Sequence, residues 1–220
     1  MKNKKELFIG CFNKSVILTY IGNIFAIIGI LLLMDFNKFE SIDRIGLVMP
    51  CLIICGICDL FDGFIARKCK RTDIQKAFGV QIDTLSDIIS FVIFPAIILY
   101  RIATRYNSQI IFIISMIIIV LYVICGITRL AWFNMLINNE NIITHYQGLP
   151  VTYIAFAAPI MYAIIQRVPV FWNNAHYIFA ILYTIIGLLF VLNIKIKKPI
   201  GKWYIIFSII AIITFVLLLI

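Results

Sequence analysis

Apolar residues run along this chain in blocks of about twenty, separated by short polar or charged stretches. A helix of that length, rising about 1.5 Å per residue, crosses the hydrocarbon of a bilayer. Seven blocks are read, near 15–34, 45–66, 77–100, 108–133, 150–166, 174–194 and 202–220. The fourth is long enough to be bent or divided. Residues 2–13 read either as a short interfacial helix, with Leu7, Phe8, Cys11 and Phe12 on one side, or as a frayed tail. The pattern predicts an all-α polytopic bundle of about seven spans, six to eight being allowed. It forms one membrane-embedded domain over 1–220, with no room for a soluble one.

Composition agrees with the pattern. The 220 residues are 63% apolar and 13% charged, with a mean hydropathy of +1.07; soluble domains carry about 45–50% apolar and about 25% charged residues. No cleavable leader is expected, because no small-residue cleavage site follows the basic start. The net charge of +9 does not point to nucleic acid, since the basic residues sit in short loops. With the N-terminus inside, fourteen basic residues fall on the inner side and five (Lys38, Arg44, Arg101, Arg105, Arg167) on the outer. The expected location is therefore a cell membrane, with a cytoplasmic N-terminus and an external C-terminus.

Into this apolar background the chain sets "CDLFDGFIARK" at 58–68. Asp59, Asp62, Gly63 and Ala66 follow i, i+3, i+4, i+7 on one helical face. On the next span Gly79, Asp83 and Asp87 follow i, i+4, i+8. Asp59 lies nine residues before Lys68 and Asp87 eleven after Lys76. At the helical rise these are about 13 Å and about 16 Å, so the acids reach comparable depth. Carboxylates in hydrocarbon are expensive and mark functional sites. Four of them cannot share a low-dielectric site without cations. Oxygen ligands without His or Cys suit Mg²⁺ or Mn²⁺, whose shells substrate phosphates complete. Glycine and alanine on the same stripes leave space for a bulky group near the backbone. The basic loop at 67–76 adjoins the site, ready for an anionic substrate. The chemistry implied is phosphoryl-type transfer, with a carboxylate activating the nucleophile. The other reading of intramembrane acids, a proton or cation path in a transporter, accounts less well for four acids interleaved with small residues.

Written out, the constellation is Asp59-x2-Asp62-Gly63-x2-Ala66-Arg67-x11-Gly79-x3-Asp83-x3-Asp87. It resembles the signature of the CDP-alcohol phosphotransferase family, membrane enzymes of phospholipid synthesis. Family members usually carry about eight residues between the arginine and the second glycine. The extra ones are expected in the cytoplasmic turn, where added length costs little. "LTYIGNIFAIIG" (18–29), "AFGVQIDTLSDIISFVIFPA" (77–96), "GITRLAWFN" (126–134) and "YQGLPV" (146–151) are similar to the branch whose acceptor is serine. The resemblance spans about 15–155, taken as the catalytic core.

What the resemblance implies is transfer of a phosphatidyl group from CDP-diacylglycerol to serine, with CMP leaving. Asp59, Asp62 and Asp83 would hold two divalent cations, Mg²⁺ or Mn²⁺, with Asp87 near the second. Asp87 would be the general base. Gly63, Ala66 and Gly79 would make room for the nucleotide, Arg67 would lie beside it, and Asn23 would line its site. Glycerol 3-phosphate, inositol phosphate or choline are the alternative acceptors.

Other residues carry less. Arg129 needs a partner in an apolar setting and is a candidate for the acceptor's carboxylate; Asn134 is a second candidate. Asn23 is open to a second reading, as interhelical glue. "QGLP" (147–150) reads as a helix start, with Pro150 at its first turn. Cys51, Cys55 and Cys58 share a face and read as small packing residues, and His145 and His176 are isolated. Trp132, Trp172 and Trp203 lie where interfacial anchors do. The last two spans, without acids, are assigned to packing or to a homodimer contact.

Overall fold

The computed structural model describes residues 10, 16–34, 44–106, 108–137, 145–197 and 202–219. The stretch expected as an interfacial helix or tail (2–13) and the loop 35–43 lie outside the described residues, Gly10 excepted; so does the side chain of Arg67. The elements are α1 (Ile17–Met34), α2 (Arg44–Lys68), α3 (Asp73–Asp87), a π-helical segment (Ile88–Ile93) and α4 (Phe94–Ala103). There follow α5 (Gln109–Ile137), β1 (His145–Gln147), a 3₁₀ turn (Val151–Tyr153) and α6 (Ile154–Ile165). Last come α7 (Pro169–Asn173), α8 (Ala175–Val191), β2 (Lys195–Lys197) and α9 (Lys202–Leu219).

Four helical stretches are long and apolar enough to cross a membrane: Ile17–Met34, Arg44–Ala66, Asp73–Ala103 and Gln109–Leu136. Three shorter apolar helices accompany them, Val151–Ile165, Ala175–Val191 and Trp203–Leu219. The chain is an all-α polytopic membrane bundle. Its outer surface is apolar: along α5, Ile110, Ile113, Ile114, Ile117, Val120, Leu121 and Ile124 are exposed, at helical spacing. In water such a stripe would be buried; here it meets lipid.

α2 lies at the centre and touches α1, α4, α6 and α9. Small residues let α1 close onto its neighbours. Gly22, Ala26 and Gly29 are buried along one side. A Cβ on Gly29 would fall 2.2 Å from the Phe94 ring, and one on Gly22 would fall 3.3 Å from Cys58 Cβ. The Cys55 thiol donates to the Gly22 carbonyl (3.3 Å), so Cys55 and Cys58 fill this interface as packing residues.

The third span is one continuous rod with a local change of winding. Pro95, in the first turn of α4, has no N–H to offer the Phe91 carbonyl one turn back. The Tyr122 hydroxyl on α5 donates to that carbonyl instead (2.7 Å). The Tyr183 hydroxyl on α8 donates to the Pro95 carbonyl (2.8 Å). The π segment sits directly after Asp87, and such insertions are frequent at functional sites.

Four expectations are corrected. The connection after α2 is shorter than the expected loop. Thr72 and Gln75 form a reciprocal capping box, which starts α3 at Asp73, so much of the extra motif spacing is helix rather than turn. α5 is neither divided nor interrupted. The "QGLP" stretch opens a 3₁₀ turn capped by Pro150 before α6 begins. Two short strands, invisible as periodicity, pair antiparallel with Tyr146 opposite Ile196. Gly148 ends β1 at φ +76°, and a Cβ there would lie 2.3 Å from the Phe190 carbonyl oxygen, so only glycine fits.

Candidate active site

The acids converge where α2 and α3 approach each other. Carboxylate oxygens of Asp59, Asp83 and Asp87 lie within 4.8 Å of one another. Asp62, buried, sits beside them within electrostatic range of Asp59 and Asp83, and accepts a hydrogen bond from the Thr19 hydroxyl of α1 (3.0 Å). Asn23, one turn beyond Thr19, accepts from the Ser86 hydroxyl (2.8 Å), whose residue precedes Asp87. α1 is thus fastened to both acid-bearing helices by polar side chains. That is the interhelical-glue reading of Asn23.

These carboxylates open into a cavity of about 240 Å³. Asp59, Asp62, Gly63, Asp83 and Asp87 line one side and Arg129 borders it. The other side is aromatic: Phe133, Tyr146, Tyr153, Phe156, Tyr204 and Phe207. Phe207 of α9 packs edge-on against Tyr153 (5.8 Å between ring centres) and tilted against Phe156 (5.4 Å).

Arg129 is 6% exposed. Its guanidinium lies 4.8 Å from the Phe133 ring centre and 5.9 Å from that of Tyr146. It feels the charges of Asp59 and Asp87, yet its Nε–H is buried without a hydrogen-bond partner. A buried donor left so costs on the order of 1–3 kcal/mol, so the position favours a ligand acceptor. Burial pushes the phenol of Tyr146, in β1, up to about 12, against the pull of Arg129. It therefore stays protonated near neutral pH.

The remaining candidates are distributed unevenly. Gly79 is covered by the Arg71 guanidinium, 3.4 Å from where a Cβ would stand. Ala66 is half-buried outside the cavity lining. Asn134 does not line the cavity either: its amide oxygen accepts from the Thr84 hydroxyl (3.0 Å) and braces α5 against α3. The assignment of the last spans to packing or pairing is corrected, because α9 supplies Tyr204 and Phe207 to the cavity wall. Sequence reading missed Thr19, Tyr146, Tyr153, Phe156, Tyr204 and Phe207. Thr19 and Asn23 at i, i+4 form a polar pair in an apolar helix, and Tyr204 and Phe207 stand at i, i+3. Either spacing was a usable signal.

Carboxylates from two neighbouring helices, oxygen donors only, with small residues beside them and a cationic rim, define a membrane transferase site for a phosphate-linked lipid. The chain belongs to the CDP-alcohol phosphatidyltransferase family, whose model matches residues 12–220. Members of this family depend on divalent cations. The chain is similar to the archaetidylserine synthase of Methanothermobacter thermautotrophicus, 37% identical over 100 residues (46% of this chain, 39% of that protein). It is also similar to the CDP-diacylglycerol–serine O-phosphatidyltransferase of Methanocaldococcus jannaschii, 33% identical over 149 residues (68% of this chain, 63% of that protein). The enzyme of the same name from Helicobacter pylori is 28% identical over 149 residues (67% and 60%). The match thus spans about two fifths to just under two thirds of these relatives' lengths.

Proposed function

We propose that this protein transfers the phosphatidyl group of CDP-diacylglycerol to the hydroxyl of L-serine, yielding phosphatidylserine and CMP. The observation that carries the reading is the grouping of three carboxylates within 4.8 Å beside a buried arginine with a free Nε–H. Relatives named for serine transfer support the acceptor.

The donor set fits divalent cations. It is all oxygen, drawn from facing helices, and negative beyond what Arg129 alone could offset. Asp59, Asp62, Asp83 and Asp87 would hold two Mg²⁺ or Mn²⁺ ions. The chemistry such ions supply is neutralisation of the pyrophosphate and of the departing CMP. Thr19 holds Asp62 in place. Gly63 leaves the backbone open to the nucleotide. Asp87, at the wall between the acids and Arg129, takes the proton from the serine hydroxyl as that oxygen attacks the β-phosphorus. No covalent enzyme intermediate is required. Arg129 receives the serine carboxylate through its Nε–H, one planar cation matching one carboxylate. The aromatic wall excludes water, so that serine rather than water reaches the phosphorus.

The distribution of basic residues, fourteen against five, supports an active site facing the cytoplasm in a cell membrane. Pairing of two copies as a homodimer belongs to this reading as well. The test is CMP release from CDP-diacylglycerol by the purified protein, with serine, glycerol 3-phosphate or inositol offered separately. Turnover is expected with serine alone, lost in excess chelator and restored by Mg²⁺ or Mn²⁺. Turnover with glycerol 3-phosphate or inositol but not serine would overturn the acceptor, and full turnover in chelator would overturn the metal role.

A further inference from the structure

The end of the bundle remote from the carboxylates carries a second polar site. Arg44 opens α2 and Arg101 lies near the end of α4. Along their helices they stand fifteen residues from Asp59 and fourteen from Asp87, about 21–22 Å away at the helical rise. Arg105 follows in the turn after α4, and Arg101 feels the charges of both Arg44 and Arg105. Three guanidiniums thus gather at one end of a membrane protein.

Beside them lies a cavity of about 260 Å³, lined by Ile45, Arg105, Tyr106, Tyr162, Trp172 and Phe179 among others. Its walls are ordered. The Tyr106 hydroxyl donates to the Trp172 carbonyl (3.1 Å), and the Arg105 guanidinium stands 5.6 Å from the Trp172 ring centre. Two buried side chains at this end carry polar atoms without a hydrogen-bond partner. Arg44, 8% exposed, leaves Nη1 unpartnered; His176, 5% exposed and stacked 3.9 Å from Tyr106, leaves both ring nitrogens so. Buried donors in this state lose their full hydration, which an anion would restore. The position adds to this, because Arg44 is the first residue of a 25-residue helix, whose N-terminus favours negative charge. Among the described residues, no Asp or Glu lies at this end; Asp35, Glu40 and Asp43 belong to the loop outside the described residues.

We propose that this end is a binding site for a phosphate group, presented by an anionic phospholipid of the leaflet opposite the active site. Arg44 and Arg105 grip the phosphate, with Arg101 adding charge, while Trp172 and Tyr106 take the glycerol region as amphipathic aromatics do at membrane interfaces. A phosphate suits two or more guanidiniums better than a carboxylate would. A lipid suits the place, because the site opens where the hydrocarbon ends. The site is independent of the transferase reaction and would stabilise the bundle by clamping α2, α4 and α7 together.

The test measures binding and melting of the purified protein in a neutral detergent. Native mass spectrometry and thermal unfolding are followed with phosphatidylglycerol, phosphatidylcholine or inorganic phosphate added. Phosphatidylglycerol is expected to bind and raise the melting temperature, and phosphatidylcholine to do neither. Arg44→Gln and Arg105→Gln should each weaken phosphatidylglycerol roughly fivefold to tenfold, as loss of one cation at a lipid surface does. CMP release in both variants reports an intact fold. Arg105 lies in a surface turn, so its variant keeps the test decisive if Arg44→Gln fails to fold. An equal shift from inorganic phosphate, lost in the same variants, would support the phosphate site and overturn the lipid as its source. Unchanged phosphatidylglycerol binding in Arg105→Gln would overturn the proposal.

Discussion

The acid wall of the cavity, on α1, α2 and α3, is joined by polar bonds between helices, whereas the facing wall, on β1, α6 and α9, is made of stacked aromatic rings. Thr19 to Asp62 and Ser86 to Asn23 are directional bonds that fix carboxylate positions to within a few tenths of an ångström. Tyr153, Phe156 and Phe207 meet only through ring faces and edges, which tolerate sliding. The difference suits two tasks. Carboxylates that share cations must keep their spacing, while a wall that admits a lipid headgroup and an amino acid must yield. Arg129 stands at the seam, with acids on one side and the rings of Phe133 and Tyr146 on the other.

Mutations on the two walls should therefore fail differently. The largest effect is expected from Asp87→Asn, which removes the proposed base yet keeps the shape. CMP formation should fall by about 10²–10⁴, while CDP-diacylglycerol binding, followed by equilibrium dialysis, stays within a few-fold. If binding and turnover collapsed together, Asp87 would be a ligand holder and not a base.

At the seam, Arg129→Ala should raise the KM for serine by about tenfold to a hundredfold, the value of a charge-assisted hydrogen bond. The KM for CDP-diacylglycerol should move far less. Initial rates with each substrate varied in turn separate the two, and equal shifts in both would place Arg129 in the nucleotide half of the cavity.

Thr19→Val sharpens the account of the acid wall. It removes one hydrogen bond worth about 1 kcal/mol, so turnover at limiting metal should drop about fivefold and recover at saturating Mg²⁺ or Mn²⁺. A drop that excess metal leaves untouched would show that Thr19 orders something other than a metal-holding carboxylate. The smallest effect is expected across the cavity. Phe207→Leu keeps apolar bulk and should change kcat/KM by only about twofold to threefold, at an unchanged metal requirement. A loss as large as that of Thr19→Val would mean the ring wall is as tightly specified as the acid wall.

What the sequence determined by itself follows from local rules. Block length decides how many helices the membrane can hold, and the i, i+3, i+4 and i, i+4, i+8 spacings decide which acids share a face, because both depend only on helix geometry. The four acids and Gly63 were legible for that reason, as was the packing role of Cys55 and Cys58. Tertiary structure decided which side chains stand opposite them. Asn134 lies near Arg129 in sequence, but the turn of α5 carries it to Thr84 and away from the cavity. Tyr204 lies more than a hundred residues from Asp87 and reaches the same cavity because α9 returns across α2 and α6. The π segment after Asp87, the capping box that starts α3 at Asp73 and the β1–β2 pair are settled by partners one turn or fifty residues away. No apolar period encodes them: periodicity reports which face of a helix is buried, and only packing selects what buries it.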